Sequence, residues 1–234
     1  MKLLLTSNGF IHSSVENDFL ELTGGRADIK VAIIPTAGDP IAWIPLKEGD
    51  TSYDNFVPKL IGEGSDGKGE YYDYFIDKGY EVIVADLKED PNIVREKLQN
   101  VDVISVGGGD VNYLLEWAKK AKLETFLKAI LDKGVVYVGA SAGSMLLQPD
   151  IGLTWWEPTM KADHTGLNVI NFIIAPHQKE IEISSNIEKL DGRRKYLQSV
   201  INFPWKIYLL QDGQAIKVIG DNIEHIGSGK KKFI

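Results

Sequence analysis

Apolar residues in this chain come in short unbroken runs, separated by longer stretches in which they recur at helical spacing. The runs are Lys2–Thr6, Val31–Ile34, Glu81–Ala85, Val101–Val106 and Val135–Val138. Their length and their content of β-branched residues predict strands covered on both faces, as in a parallel sheet. Between them, leucine, phenylalanine and tyrosine recur at helical spacing over about 14–22, 70–78, 91–98, 111–119 and 123–132. Ser13 or Ser14 can cap the first of these helices and Gly24-Gly25 can end it. Gly79 stops the second, and Pro91 suits a first helical position. Strands alternating with helices at this spacing imply right-handed crossovers and an α/β fold with a mostly parallel sheet.

The pattern changes twice. Residues 41–69 hold no sustained period, carry Pro45 and Pro58 and end in a Gly-rich polar run, so they read as an irregular loop of the kind that often covers a site. Trp43 and Tyr53 can equally be packing residues there. After residue 150 the elements become shorter. Ile170–Ala175 is a predicted strand, 186–201 a helix, and Lys206–Leu210, Ala215–Ile219 and Asn222–Ile226 are short strands. Asp212-Gly213 between two of them has the composition of a hairpin turn. No repeat or linker divides the chain, and residues 1–234 are expected to form one domain.

Composition narrows the chemistry. The net charge of −7 leaves no basic surplus for nucleic acid. No run approaches the roughly 18 residues of a membrane span, and the opening MKLLLTSNGF is too short in apolar residues for a signal peptide, so a cytoplasmic protein is expected. The chain contains no cysteine, which removes thiolate metal sites and cysteine nucleophiles together.

A candidate nucleophile stands at Gly139-Ala140-Ser141-Ala142-Gly143, directly after the buried run Val135–Val138 and before a helix-compatible stretch. This is the nucleophile-elbow pattern, with Ser141 on a strained turn and a helix N-terminus behind it. Two other strand ends carry chemistry: Gly107-Gly108-Gly109-Asp110 after Val106, and His177 after FIIA and Pro176. Ligands of open α/β sheets bind at the carboxyl ends of strands, so all three are expected at one edge. Ser141 needs a base. Of the four histidines, His177 has the best placement, ahead of His164, while His12 and His225 have less to recommend them. A carboxylate must orient the imidazole; between Ser141 and His177 the choice falls on Glu157, with Asp163 second. Gly109 and Ala142 can supply main-chain N–H groups to an oxyanion. A phosphate loop is the alternative use of the glycines, but GGGD lacks the P-loop lysine and the G-x-G-x-x-G spacing.

With these residues in place, the sequence resembles the serine peptidase family of dipeptidase E and cyanophycinase. That family has a GGG[N/D] loop, a G-x-SAG[A/S] elbow and a PH dipeptide in this order; here they are 107–110, 139–144 and 176–177. The resemblance implies a three-layer flavodoxin-like or class I glutamine amidotransferase-like fold, with extra short C-terminal strands. It also implies a serine exopeptidase that works through a Ser-His-acid triad and an acyl-enzyme, with no cofactor or metal. Short peptides with N-terminal aspartyl or isoaspartyl residues are the implied partners, and a homodimer is one assembly open to it. Arg193, or Arg194, falls where a reader of the substrate carboxylate is expected. Asp110 stands where the family's dipeptidase E has asparagine and could favour a substrate ammonium group. The 41–69 segment looks like an insertion and the acid does not align cleanly, which leaves Asp-X specificity open. Two other readings compete: an α/β-hydrolase esterase, which shares the elbow, and a non-catalytic binding member of the fold.

Overall fold

The structure is a computed structural model that describes residues 1–10, 14–39, 41–45, 56–60, 70–152, 164–179, 188, 189, 191, 192, 195, 198 and 204–234, with the backbone alone at 41–45, 56–60 and 70. Within these residues the chain forms strands β1 (Lys2–Thr6), β2 (Lys30–Ile34), β3 (Ile41–Pro45), β4 (Phe56–Leu60), β5 (Glu81–Val84), β6 (Val103–Val106), β7 (Val136–Ala140), β8 (Phe172–Ala175), β9 (Lys206–Leu209), β10 (Gln214–Ile219), β11 (Asn222–Gly227) and β12 (Lys232–Phe233). The α-helices are α1 (Glu16–Leu22), α2 (Glu70–Asp77), α3 (Pro91–Gln99), α4 (Val111–Lys120), α5 (Leu127–Asp132) and α6 (Ala142–Met145).

The central sheet runs in the order β11-β10-β1-β7-β6-β2-β5. Its five strands from β1 to β5 are parallel, and β10 and β11 are added antiparallel at the β1 side. The unbroken apolar runs have a direct explanation in the two cores. Leu3 and Leu5 of β1 pack into one cluster with Val94, Leu98, Leu114, Leu127 and Met145 of the α3–α6 layer. Leu4, between them, packs on the opposite face with Phe19 of α1 and Phe75 of α2. Ala32/Ile33 of β2 and Tyr137/Val138 of β7 divide in the same way. Side chains alternate across a strand, so a strand with helices on both sides has no polar face to offer. Each fully buried leucine adds about 2 kcal/mol to the fold.

Two features depart from the sequence reading. First, β3 and β4 pair antiparallel, with Ile41 opposite Leu60 and Pro45 opposite Phe56, inside the segment read as irregular. Proline tolerates a two-stranded ribbon because one side of each strand needs no ladder donor. Second, Asp212-Gly213 does not close a hairpin. β9 lies in a second sheet of order β12-β9-β8, parallel to β8, whereas β10 lies in the central sheet. The hairpin joins β10 to β11 instead, with Ile219 opposite Asn222. The chain therefore changes sheets across 210–213. Leu210 N–H donates to Ala175 O and Gln178 N–H to Leu210 O, which fastens this crossing to the end of β8. Residues 188, 189, 191, 192, 195 and 198 are helical, as the sequence predicts for that stretch.

Candidate active site

Ser141 follows β7 directly, and its backbone takes φ 49° and ψ −107°. A non-glycine residue in this region carries about 1–3 kcal/mol of strain, sustained only where the surroundings over-determine it. The surroundings here do so. Ser141 N–H donates to Thr6 O, fixing the residue to the end of β1. Fully buried Tyr137 donates its hydroxyl to Gly143 O at 2.6 Å, and burial pushes its phenol pKa far up, so the group stays protonated. The flanking glycines are forced by space. A Cβ on Gly139 would meet Ser144 N at 2.6 Å, and one on Gly143 would meet Val106 O at 2.3 Å. The helix behind the serine, α6, has a single turn, so little macrodipole stands there and the local N–H groups matter instead.

The glycine loop lies against the serine: a Cβ on Gly108 would stand 3.4 Å from Ser141 Cβ. The turn at Thr36–Gly38 after β2 supports it from below, with Asp110 N–H donating to Ala37 O at 2.8 Å. Gly109 has φ 142°, and any Cβ there would fall 2.0 Å from Ala37 O, so no other residue fits. Among the described residues, the N–H groups of Gly109 and Ala142 carry no hydrogen bond. Two unused donors beside one hydroxyl can receive a developing negative charge.

His177 closes the constellation from the second sheet. Its φ is 58°, and its Nε2 lies 2.9 Å from Ser141 Oγ. Its Nδ1 lies 2.9 Å from Asp212 Oδ1. With an ionised carboxylate at Nδ1 the proton belongs there, leaving the Nε2 lone pair to accept from Ser141 Oγ–H. Half-burial works to raise the Asp212 pKa, but hydrogen bonds from His177 and Ser7, with the attraction of the imidazole, outweigh it and hold the carboxyl below its ordinary value. Both side chains are about half exposed, so the reacting edge opens to solvent.

Of the residues singled out in the sequence, the structure sets His177 beside Ser141 and the Gly107–Gly109 loop against it, and the carboxylate it places at His177 Nδ1 is Asp212, which the sequence reading did not single out. The search for an acid stopped at the carboxylates between Ser141 and His177, while the partner lies beyond both in a dipeptide read as a hairpin turn. A second signal was available: Asp212 follows the apolar run IYLL as His177 follows FIIA, at the end of a strand. Glu157, the candidate acid, lies outside the described residues, as do Asp163 and Arg193. Asp110 caps α4, with Oδ1 accepting from Tyr113 N–H at 2.8 Å. Among the described residues no group of three or more His, Asp or Glu side chains is arranged to hold a metal ion, and no helix is long and apolar enough to cross a membrane.

Known proteins carry the same arrangement of chain. A peptidase E of Nostoc sp. is 25% identical over 97% of this chain and 86% of its own length. An uncharacterised peptidase of Pasteurella multocida is 24% identical over 81% of this chain and 84% of its own. Among solved structures, a candidate peptidase E of Listeria monocytogenes superposes with a TM-score of 0.67 at 22% identity, covering 97% of this chain and 98% of its own. A peptidase from an acI-B1 Actinobacterium gives 0.60 at 16%, covering 100% and 93%; at these identities the two structures speak for the α/β fold. The family model of peptidase family S51 matches residues 56–226, from β4 through most of β11 and across the elbow, His177 and Asp212. With a match over most of its length, the chain belongs to peptidase family S51 and is a peptidase.

Proposed function

We propose that this protein is a serine exopeptidase of the peptidase E type, with Ser141 as nucleophile, His177 as general base and acid, and Asp212 as the orienting carboxylate. The observation that carries this reading is the continuous line of hydrogen bonds from Ser141 Oγ through both ring nitrogens of His177 to Asp212 Oδ1, each 2.9 Å long. His177 Nε2 takes the hydroxyl proton as Ser141 Oγ adds to the scissile carbonyl. The oxyanion of the tetrahedral intermediate receives the Gly109 and Ala142 N–H groups. His177 then protonates the departing amine, leaving an acyl-enzyme on Ser141, and a water activated by the same imidazole releases the acid. Asp212 stabilises the imidazolium formed in each half-reaction.

The relatives named peptidase E support short peptides as substrates, and N-terminal aspartyl or isoaspartyl dipeptides are the first class to try. Arg193 is the proposed reader of a substrate carboxylate, on its chemistry alone. Asp110 has one oxygen committed to capping α4, so it meets a substrate ammonium through the other. The test is treatment of the folded protein with a fluorophosphonate, alongside a dipeptide and isoaspartyl-peptide library read for free amino acids. Labelling that disappears in Ser141→Ala, with release of amino acids by the wild type only, is the expected result. An unlabelled wild type, or turnover of acyl esters with none of peptides, overturns the proposal.

A further inference from the structure

The end of β1 touches both of the groups that serve Ser141. Ser7 is fully buried, and its N–H donates to Gln214 O at 3.0 Å. Its Oγ accepts from His177 N–H at 2.8 Å. The same oxygen lies 2.8 Å from Asp212 Oδ1 and 3.4 Å from Leu210 O. One hydroxyl has one proton, and a charged acceptor at the shorter distance takes it. Next along the chain, Asn8 Oδ1 accepts from Gly213 N–H at 3.1 Å.

We infer that Ser7 is a positioning residue for the peptidase reaction: its hydroxyl grips the main chain of the base and the side chain of the acid at once, setting the register between them. This inference rests on the reading of Ser141, His177 and Asp212 as a triad.

The physical need is specific. His177 and Asp212 arrive on separate connections, their side chains are half exposed, and His177 holds a strained positive φ. Left alone, both side chains sample other rotamers and the imidazole drifts from the hydroxyl. Ser7 has no such freedom, because β1 lies in the middle of the central sheet, paired with β7 on one side and β10 on the other. A buried hydroxyl on the residue directly after that strand, its own N–H bonded to Gln214 O, transfers the rigidity of the sheet to two groups on its rim. β7, which Ser141 directly follows, is the neighbour of β1, so one element references all three partners. Misplacement of a catalytic group by about 1 Å costs on the order of 100-fold in rate.

The test uses the full chain and the second-order rate at which a fluorophosphonate labels Ser141, together with kcat and KM on whichever dipeptide the wild type hydrolyses. Ser7→Ala removes the hydroxyl; Ser7→Cys keeps its size with a weak donor and acceptor, and serves if the alanine variant does not fold. Either folded variant is expected to label and turn over about 10–100-fold more slowly with KM within about twofold. In an Asp212→Ala background, Ser7→Ala is expected to slow labelling no further than about threefold, because with the carboxylate gone there is no register between base and acid left to set. Wild-type rates in a folded Ser7 variant, or the full single-variant loss repeated in the Asp212→Ala background, overturn the role of Ser7 while leaving the triad standing. A wild type that is not labelled at all removes the triad reading, and this inference with it.

Discussion

Asp212 Oδ1 stands 2.9 Å from His177 Nδ1, since the two residues follow neighbouring parallel strands of the second sheet: His177 follows β8, and Asp212 sits where the chain passes from β9 to β10. The two side chains therefore meet beyond the carboxyl ends of β8 and β9, where the chain crosses to the central sheet. Substituting Asp212 by asparagine keeps the shape but offers a neutral amide and can hold the ring in the wrong tautomer. By comparison with other triads, kcat is expected to fall by about 10³–10⁴ with little change in unfolding temperature. Steady-state kinetics on the purified variant checks this; a variant with wild-type kcat removes Asp212 from the mechanism.

The same carboxylate leaves a mark on acid stability. Its folded-state pKa lies below the value of about 3.9 for an unfolded aspartate, so its bonds stabilise the fold above that pH and are lost as pH falls through the folded value. Thermal unfolding between pH 5 and 2 is expected to decline less steeply in Asp212→Asn than in the wild type. Parallel curves for the two proteins contradict it.

His225 acts in a different window. Burial is the main cause, with Lys231 and Lys206 adding repulsion, that lowers its pKa to about 4, against about 6.5 unfolded. The unfolded chain binds the proton first, so stability falls as pH drops from about 6.5 to 4 and levels below. His225→Phe is expected to flatten that part of the profile, and the His225 imidazole resonance of the wild type, identified by its loss in that variant and followed by NMR, should titrate near pH 4.

The elbow can be tested without any substrate. Ser141→Gly releases the strain of a positive φ, and is expected to inactivate the protein while raising its unfolding temperature by roughly 2–4 °C, the effect of about 1 kcal/mol in a chain of this size. Gly143→Ala drives a methyl group into Val106 O, 2.3 Å from the added carbon, and should cost about 3 kcal/mol or more. Differential scanning calorimetry on both variants decides; an equal or higher unfolding temperature in Gly143→Ala contradicts the close approach.

What the sequence carried, and what it did not, follows from the range of each interaction. The β1, β2, β6 and β7 strands were legible because burial on both faces makes a local run wholly apolar. Ser141 and Gly109 were legible because a forced turn leaves a local residue signature. Asp212 and Ser7 were not, since what defines them is a neighbour remote in sequence: a carboxylate after one strand and a serine after another look like ordinary strand ends. The turn at 212–213 misled for the same reason. Its composition describes a reversal of chain, but only the pairing of β9 with β8 and β12, set by distant residues, decides that the chain changes sheets instead.

The pairing of β1 between β7 and β10 also orders events in time. A chain emerging from the ribosome exposes its first strand long before either neighbour exists, and the carboxylate at 212 emerges after the serine and the imidazole. A nascent or prematurely terminated chain that ends before β10 lacks one flank of that first strand and the acid together. On the proposed triad, a chain halted there holds the nucleophile and the imidazole without the carboxylate that orients them, so the complete site forms only once the last strands of the central sheet are in place.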